Sequence, residues 1–430
     1  MKVVAFVPAK GESSRVAKKN LRILDGEYLY KRKLRQLLAT PLVDAVYLDT
    51  DSEEIIGLAD DLPVHAIRRP ADLASNATDG HALFAFECAY VDADIYIQAL
   101  CTSPFITAET ITRALEALLA SEHDSLVAVT RAKLYEWDNG RPAYGQGRIP
   151  NSIDLPERVI EQMGLYIVRK SKEGPITRRF GSNPLLFDLD ALEAVDINYE
   201  EDLRLGERLA MGKREEDNRL FRTIRSHLSS ALLSDVGQDL GLQITLPPAF
   251  RPNIHQKIIG RAKPLWLRAC KKEDDWKSIY DALDSYDFIR SGDIIVVASE
   301  VPGRAYFGDL NANLAIRAGA VGAVIDGFTR DSRETRGLDF PVYAHGNYCL
   351  DIKYEGILGH INKPITIGNV LVHAGDIIYA DEDGVICIPA TRWNEVLTLA
   401  MAALKKEAAI RIAIDQGMDA RSIVLNNGAF

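Results

Sequence analysis

Along the first two hundred residues, short apolar runs alternate with stretches whose apolar positions recur every three or four residues. Val3–Pro8, Val43–Asp49, Ile95–Ala99 and Ser125–Thr130 read as strands. Tyr28–Ala39, Asp79–Tyr90 and Ala108–Ala120 read as helices. This alternation predicts βαβ units around a mostly parallel sheet, whose ligands lie beyond the carboxyl ends of the strands. The pattern breaks at Gly212–Arg219, a charged stretch that reads as a solvated helix end or linker. Phe221–Leu240 resumes helical spacing, and a stretch with Pro247, Pro248 and Pro252 follows. From Ile294 onward, strand-like runs (Ile294–Ala298, Ala323–Ile325, Val342–Ala344, Val370–His373, Ile377–Ala380, Val385–Ile388) are separated by Gly-Asp and Asp-Gly turns. Thr391–Ile414 closes the pattern as a long amphipathic helix. The division this predicts is a first domain over 1–212, a charged linker over 213–219 and a second domain over 220–430.

Length and composition fit that division. At about 150 residues per domain, 430 residues make two or three domains, each able to bury a core. Hydrophobic residues are 47% and charged residues 26%, which excludes wholesale disorder, collagen and coiled coil. The net charge of −10 argues against nucleic acid as a partner, because phosphate binding needs a basic face. No apolar run reaches the length of a membrane span, and Met1–Lys10, broken by Pro8, reads as a buried strand rather than a signal peptide. The five cysteines (Cys88, Cys101, Cys270, Cys349, Cys387) form no C-x-x-C pair, which points to reduced thiols and a cytoplasmic setting.

The first candidate site follows the first strand: Pro8-Ala9-Lys10-Gly11-Glu12-Ser13-Ser14-Arg15-Val16-Ala17-Lys18-Lys19-Asn20. A strand opening into a loop with glycine, hydroxyls and cations can cradle a triphosphate through backbone N–H groups, hydroxyls and lysines. A solvated basic loop is the alternative.

This stretch resembles the first loop of the acylneuraminate and 3-deoxy-manno-octulosonate cytidylyltransferases, which runs I-P-A-R-G-G-S-K-G-I-x-x-K-N. Lys10 falls on the arginine, Ser13 on the serine, and Lys19-Asn20 on the lysine-asparagine pair. Further matches come in family order: Asp49-Thr50-Asp51-Ser52, then Arg69-Pro70 with Leu73-Ala74, then Gln98 through Thr102-Ser103-Pro104, and Asp196-Ile197-Asn198 with Asp202-Leu203. Glu12 and Arg15 replace two family glycines, and Asn198 replaces an aspartate. The resemblance spans about residues 1–212. It implies a Rossmann-like nucleotide-diphospho-sugar transferase sheet and transfer of CMP from CTP to a 3-deoxy-2-keto sugar acid. By the same resemblance, Lys10 and Lys19 hold the phosphates, with Lys19 catalytic. Ser13 and Asn20 line the loop, Arg69 contacts nucleotide or sugar, and Gln98 contacts the sugar acid. Asp196, helped by Asn198, holds Mg²⁺ or Mn²⁺. For Asp196 the alternative is a helix N-cap.

The second candidate site is Gly308-Asp309-Leu310-Asn311 with Asp326-Gly327-Phe328-Thr329-Arg330-Asp331. An arginine binds a carboxylate in bidentate fashion, and an adjacent aspartate can hold a divalent cation, a pairing that suits a 2-keto acid. A structural Arg–Asp pair is the alternative. With Ser230–Asp235, Gly292-Asp293-Ile294, Phe340–Gly346 and Gly375-Asp376 through Val385 in sequence order, residues 220–410 resemble the family of regulator of ribonuclease activity A and 4-hydroxy-4-methyl-2-oxoglutarate aldolase. That implies an α/β swivelling-type domain. Gly308, Leu310, Asn311 and Arg330 bind pyruvate or a related keto acid, with Arg330 catalytic. Asp309 is catalytic through water or the metal, and Asp331 is the Mg²⁺ or Mn²⁺ ligand. His345, in the same stretch, reads as structural.

The two implied chemistries fit each other. Pyruvate added to a sugar aldehyde gives a 3-deoxy-2-ulosonic acid, the class of acceptor that the resembled cytidylyltransferases activate. The expectation is a bifunctional enzyme for a surface polysaccharide, assembled as a homo-oligomer (trimer, hexamer or higher). The alternative is a cytidylyltransferase whose C-terminal half only oligomerises or binds a protein.

Overall fold

The computed structural model describes residues 1–13, 15–75, 77–170 and 174–427; Ser14 of the first loop lies outside them. The chain divides into two units, Met1–Ala210 and Met211–Phe430.

The first unit is built on a seven-stranded sheet. Its main elements are β1 (Val3–Pro8), α1 (Leu29–Leu38), β2 (Ala45–Thr50), β3 (His65–Arg68), α2 (Gly80–Tyr90), β4 (Ile95–Ala99), α3 (Ala108–Leu119), β5 (Ser125–Lys133), β6 (Glu157–Arg169) and β7 (Pro184–Asp188). The strand order is β7-β5-β6-β4-β1-β2-β3. All neighbours are parallel except β6, which runs antiparallel to β4 and β5. Central strands buried on both faces read as unbroken apolar runs. In β1, Val3, Ala5 and Val7 enter the core formed with α1 and α3, whereas Val4 and Phe6 enter the core formed with α2. Asp79 starts α2 by accepting the N–H groups of His81 and Ala82, and Thr107 starts α3 by accepting that of Thr110.

The predicted linker is not one. Residues 213–219 lie inside α4 (Glu200–Ile224). Arg214 and Asn218, on one helix face, are buried: Arg214 Nη1 pairs with Asp293 Oδ1 at 2.5 Å, and Asn218 Nδ2 donates to the Ser291 carbonyl at 3.0 Å. A run of charges gave no hint that two of its polar groups face inward.

The second unit contains α5 (Ser230–Asp239), β8 (Ile258–Ala269), β9 (Asp293–Ser299), α6 (Asp309–Ala318), β10 (Gly322–Ile325), β11 (Val342–Ala344), β12 (Gly356–Ile361), β13 (Ile377–Ala380), β14 (Val385–Ile388) and α7 (Trp393–Asp415). Its eight-stranded sheet runs from the short Arg251–Pro252 strand through β11-β10-β9-β8-β13-β14, with β12 also on β8. β8 to β11 are parallel; β12 and β13 pair antiparallel with β8. Apolar residues fill both faces, Val296 and Val324 on one and Val297 and Ile325 on the other. The expected helix over 221–240 breaks between α4 and α5, where Ser229 caps α5 by accepting the Leu232 N–H. No helix among the described residues is long and apolar enough to cross a membrane.

Candidate functional sites

In the first unit the site forms where the loop after β1 meets a turn 178 residues further along. Gly11 N–H donates to Asp51 Oδ1 at 2.8 Å, and Asn20 Nδ2 donates to the Lys10 carbonyl at 2.8 Å, closing the loop on itself. Lys19 is 8% exposed, and its ammonium donates to the Ile197 carbonyl at 3.1 Å. Burial pushes the Lys19 pKa down, helped by the nearby Arg15 and Lys10 charges and opposed by Asp196. Lys10, Arg15, Lys19 and Asp196 therefore feel one another's field. Ser13 lies half-buried in the loop, and Glu12 is exposed, on the side where its charge reaches Lys18.

The turn carrying Asp196 is anchored by Ile197 N–H donating to the Thr102 carbonyl at 2.7 Å. Asp196 is not the helix cap. The helix start is secured from within its first turn by Asp202, which reaches back to accept the N–H groups of Asn198 at 2.9 Å and Tyr199 at 2.8 Å. Asp196 Oδ2 accepts from Asn198 Nδ2 at 2.5 Å, and its buried Oδ1 has no partner among the described residues. Among the described residues no three His, Cys, Asp or Glu side chains form a ready-made metal cage. A hard divalent cation held by one carboxylate, phosphate oxygens and water needs no such cage. The orphaned Oδ1 is the oxygen that fits it.

Arg69 and Gln98 depart from expectation. Arg69 is locked onto buried Asp49, with Nη2 2.8 Å from Oδ2 and Nε 3.1 Å from each carboxylate oxygen. Gln98 is fully buried and donates through Nε2 to Glu87 Oε2. Glu87, from α2, is held far above the usual carboxylate range, first by burial and then by the Asp49 charge. Arg69 and Gln98 thus belong to a buried polar cluster, not to an open surface. Sequence reasoning passed over Glu87, although a lone acid within the apolar run of α2 was the available signal.

In the second unit the site gathers at the start of α6. Gly308 is its N-cap, and a Cβ there would lie 2.3 Å from Asp331 Oδ2, so any larger residue would have to push that carboxylate aside. Asp331 Oδ2 stands 3.4 Å from the Asp309 N–H. The N–H groups of the first helical turn, Leu310 and Asn311 among them, have no partner within the helix and favour an anion. For Asn311 it is this backbone group, not the side chain, that is available to a ligand. The Leu310 side chain is 74% exposed, and the Asn311 amide is tied to the Tyr306 carbonyl and the Tyr286 hydroxyl. Asp331 adopts a left-handed conformation at φ 52°, which turns the chain into the next helix. Arg330 lies between two carboxylates: Nε is 3.6 Å from Asp331 Oδ2, and Nη1 pairs with Asp351 Oδ2. Asp351 carried no sequence signal. His345 Nε2 lies 3.1 Å from Asp326 Oδ1, and its ring packs against Phe250 and Phe328, as a structural histidine would. A divalent cation fits beside Gly308, where the missing side chain leaves Asp331 room and a keto acid and water supply the other oxygens.

These observations define a two-unit α/β protein, with a basic strand-end loop in one unit and an arginine-aspartate cluster at a helix N-terminus in the other. Residues 4–140 match the Cytidylyltransferase family and residues 230–387 the Aldolase/RraA family. A "Putative 4-hydroxy-4-methyl-2-oxoglutarate aldolase" of Halalkalibacterium halodurans is 32% identical over 189 residues, covering 44% of this chain and 82% of that protein. A 3-deoxy-manno-octulosonate cytidylyltransferase of Pelodictyon phaeoclathratiforme is 32% identical over 116 residues, 27% of this chain and 45% of that protein, so less than half of the relative is spanned. A solved CMP:2-keto-3-deoxy-manno-octonic acid synthetase complexed with CTP is 16% identical, covers 50% of this chain and all of its own (100%), and has a TM-score of 0.39. The chain belongs to the Aldolase/RraA family through its C-terminal half, and the region before that half is similar to cytidylyltransferases.

Proposed function

We propose that the first unit transfers CMP from CTP to a 3-deoxy-2-ulosonic acid, and that the second forms or cleaves a 4-hydroxy-2-keto acid with pyruvate as one partner. The observation that carries the first part is the convergence of Lys19 with Ile197 and Asp196, which puts a buried cation and an orphaned carboxylate oxygen at one strand end. Nucleotidyl transfer depends on positioning and charge neutralisation more than on covalent help. Lys10 and Lys19 neutralise the phosphates, the loop N–H groups and Ser13 orient them, and the anomeric hydroxyl of the acceptor attacks the α-phosphorus as pyrophosphate leaves. In the second unit Arg330 anchors the keto-acid carboxylate and the first-turn N–H groups of α6 share its charge, with Asp309 placed to orient a water. A divalent cation, when bound at Asp196 or Asp331, supplies charge neutralisation for the phosphates or polarisation of the keto group.

The test is pyrophosphate release from CTP with a panel of ulosonic acids. Release with at least one acceptor is expected, falling about 100-fold or more in Asp196→Ala. No release with any acceptor, or an unchanged rate in the variant, sinks the assignment.

One observation favours a second reading of the C-terminal half. The Arg330 guanidinium already meets two internal carboxylates, as it would in a domain kept for oligomerisation or protein binding. Metal-dependent pyruvate release from oxaloacetate or a 4-hydroxy-2-keto acid decides between them. Its presence supports the lyase, and its absence in a chain that still transfers CMP supports the binding module.

A further inference from the structure

We infer that Asp351 is a positioning residue for Arg330: it grips one end of the guanidinium so that the other edge is held ready, on the Gly308 and Asp331 side, for a keto-acid carboxylate. This rests on the keto-acid reading of the C-terminal site. A guanidinium offers a carboxylate two bidentate edges, Nε with Nη2 or Nη1 with Nη2. Asp351 Oδ2 holds Nη1. Nε keeps only a loose ion pair, 3.6 Å from Asp331 Oδ2 and beyond hydrogen-bond reach, so the Nε edge is the one a ligand carboxylate can take over. That edge lies on the Asp331 and Gly308 side, where a Cβ on Gly308 would come within 3.2 Å of Arg330 Cγ.

Asp351 is itself built into place. Its other oxygen, Oδ1, accepts the Lys353 N–H at 2.6 Å. The backbone on either side is pinned to one residue: Ala305 N–H donates to the Leu350 carbonyl at 2.9 Å, and Ile352 N–H donates to the Ala305 carbonyl at 3.0 Å. Downstream, Lys353 Nζ sits over the Trp276 ring at 4.7 Å and the Tyr354 ring at 4.9 Å, which fixes the segment from its far side. Arg330 is tied at its own N–H to the Phe307 carbonyl at 2.9 Å. Arginine and grip are therefore both carried on anchored backbone.

Asp351 also bears a negative charge that opposes an incoming anion, and magnitudes decide which effect prevails. The two side chains are 39% and 36% exposed, so solvent and salt screen the repulsion. Releasing a long arginine side chain to its full set of rotamers costs about 0.5–1.5 kcal/mol each time a ligand must order it again, a factor of about two to ten in affinity. Between groups this exposed the repulsion is worth at most about five-fold in affinity, against up to about ten-fold for positioning, so positioning prevails.

The test is calorimetric binding of oxalate and of pyruvate to the full chain, with and without Mg²⁺, for wild type, Asp351→Ala and Asp351→Asn, with a melting curve for each. Asp351→Ala is expected to bind about two- to ten-fold more weakly at an unchanged melting temperature. Asp351→Asn, whose Oδ1 can still accept the Lys353 N–H, recovers part of the loss. Where pyruvate release is measurable, KM rises while kcat moves less. Binding in Asp351→Ala as tight as wild type or tighter makes Asp351 a bystander or a competitor and overturns the inference. If wild type takes up neither oxalate nor pyruvate, the keto-acid reading falls, and the inference with it.

Discussion

Gly308 shows how much a single missing side chain decides. The Asp331 carboxylate occupies the volume a Cβ would need, at 2.3 Å, and the same carboxylate is the group proposed to hold a cation. Gly308→Ala leaves the helix start intact, because the N-cap conformation there, φ −139°, is open to any residue. It must instead displace Asp331 and, through it, Arg330. A misplacement of about 1 Å at a reacting centre costs about 100-fold, so pyruvate release is expected to fall by that order while the melting temperature changes little. Lys33 sits at the other extreme, a cation sealed away from solvent. It is fully buried, donates to the Ile106 carbonyl at 3.3 Å, and has its pKa pushed down to about 7 by burial. Between about pH 7 and the ordinary lysine value of about 10.4, the unfolded chain binds a proton that the folded chain lacks, so this group makes stability rise with pH. Below that window both states are protonated and the burial penalty stands in full. Lys33→Met has no such dependence. The difference in melting temperature between variant and wild type should therefore move steadily in favour of wild type from pH 7 to pH 10, and a constant difference would refute the assignment.

At the scale of elements, what the sequence disclosed followed from burial. Strands buried on both faces, such as Val3–Pro8, Ile95–Ala99 and Val385–Ile388, announce themselves as apolar runs and fall where the pattern put them. β8, the central strand of the second sheet, did not. Its sequence IIGRAKPLWLRA carries three cations and a proline, and proline is expected only at sheet edges. The ladder resolves the conflict. On one side β13 pairs with Ile258–Arg261 and β12 with Leu265–Ala269, and Pro264 falls in the gap between them, where no N–H is required. Among the cations, Arg261 reaches out to Asp217 and Arg268 forms a fork with Asp274. β6 was missed for a related reason. Its first half, from Glu157, is mostly exposed and polar, and only Gly164–Val168 is buried. The same limit explains the site residues. The loop at Lys10–Asn20 and the Arg330–Asp331 pair are contiguous in sequence and could be read. Asp351 and Glu87 join their clusters through long-range packing that no local pattern records, and Arg69 and Gln98 were matched to a motif without any sign of the carboxylates that bury them.

For the whole molecule, independence and order of the two sites are what count. Each unit encloses apolar cores on both faces of its own sheet, so damage to one site should leave the other's scaffold intact. Lys19→Ala removes a buried cation from the phosphates and is expected to cut pyrophosphate release by about 100-fold while pyruvate release stays at the wild-type rate. Arg330→Ala should do the reverse, abolishing pyruvate release while pyrophosphate release from a preformed ulosonic acid continues unchanged. The informative case is the joint assay, in which pyruvate, a sugar aldehyde and CTP are supplied together. If the second unit makes the acceptor that the first unit consumes, pyrophosphate appears only when both sites are intact, and Arg330→Ala is rescued by adding the finished acid. If Arg330→Ala instead slows pyrophosphate release even with the finished acid present, the two halves are not separate catalysts in series. The C-terminal half then serves the transferase as a structural or assembly partner.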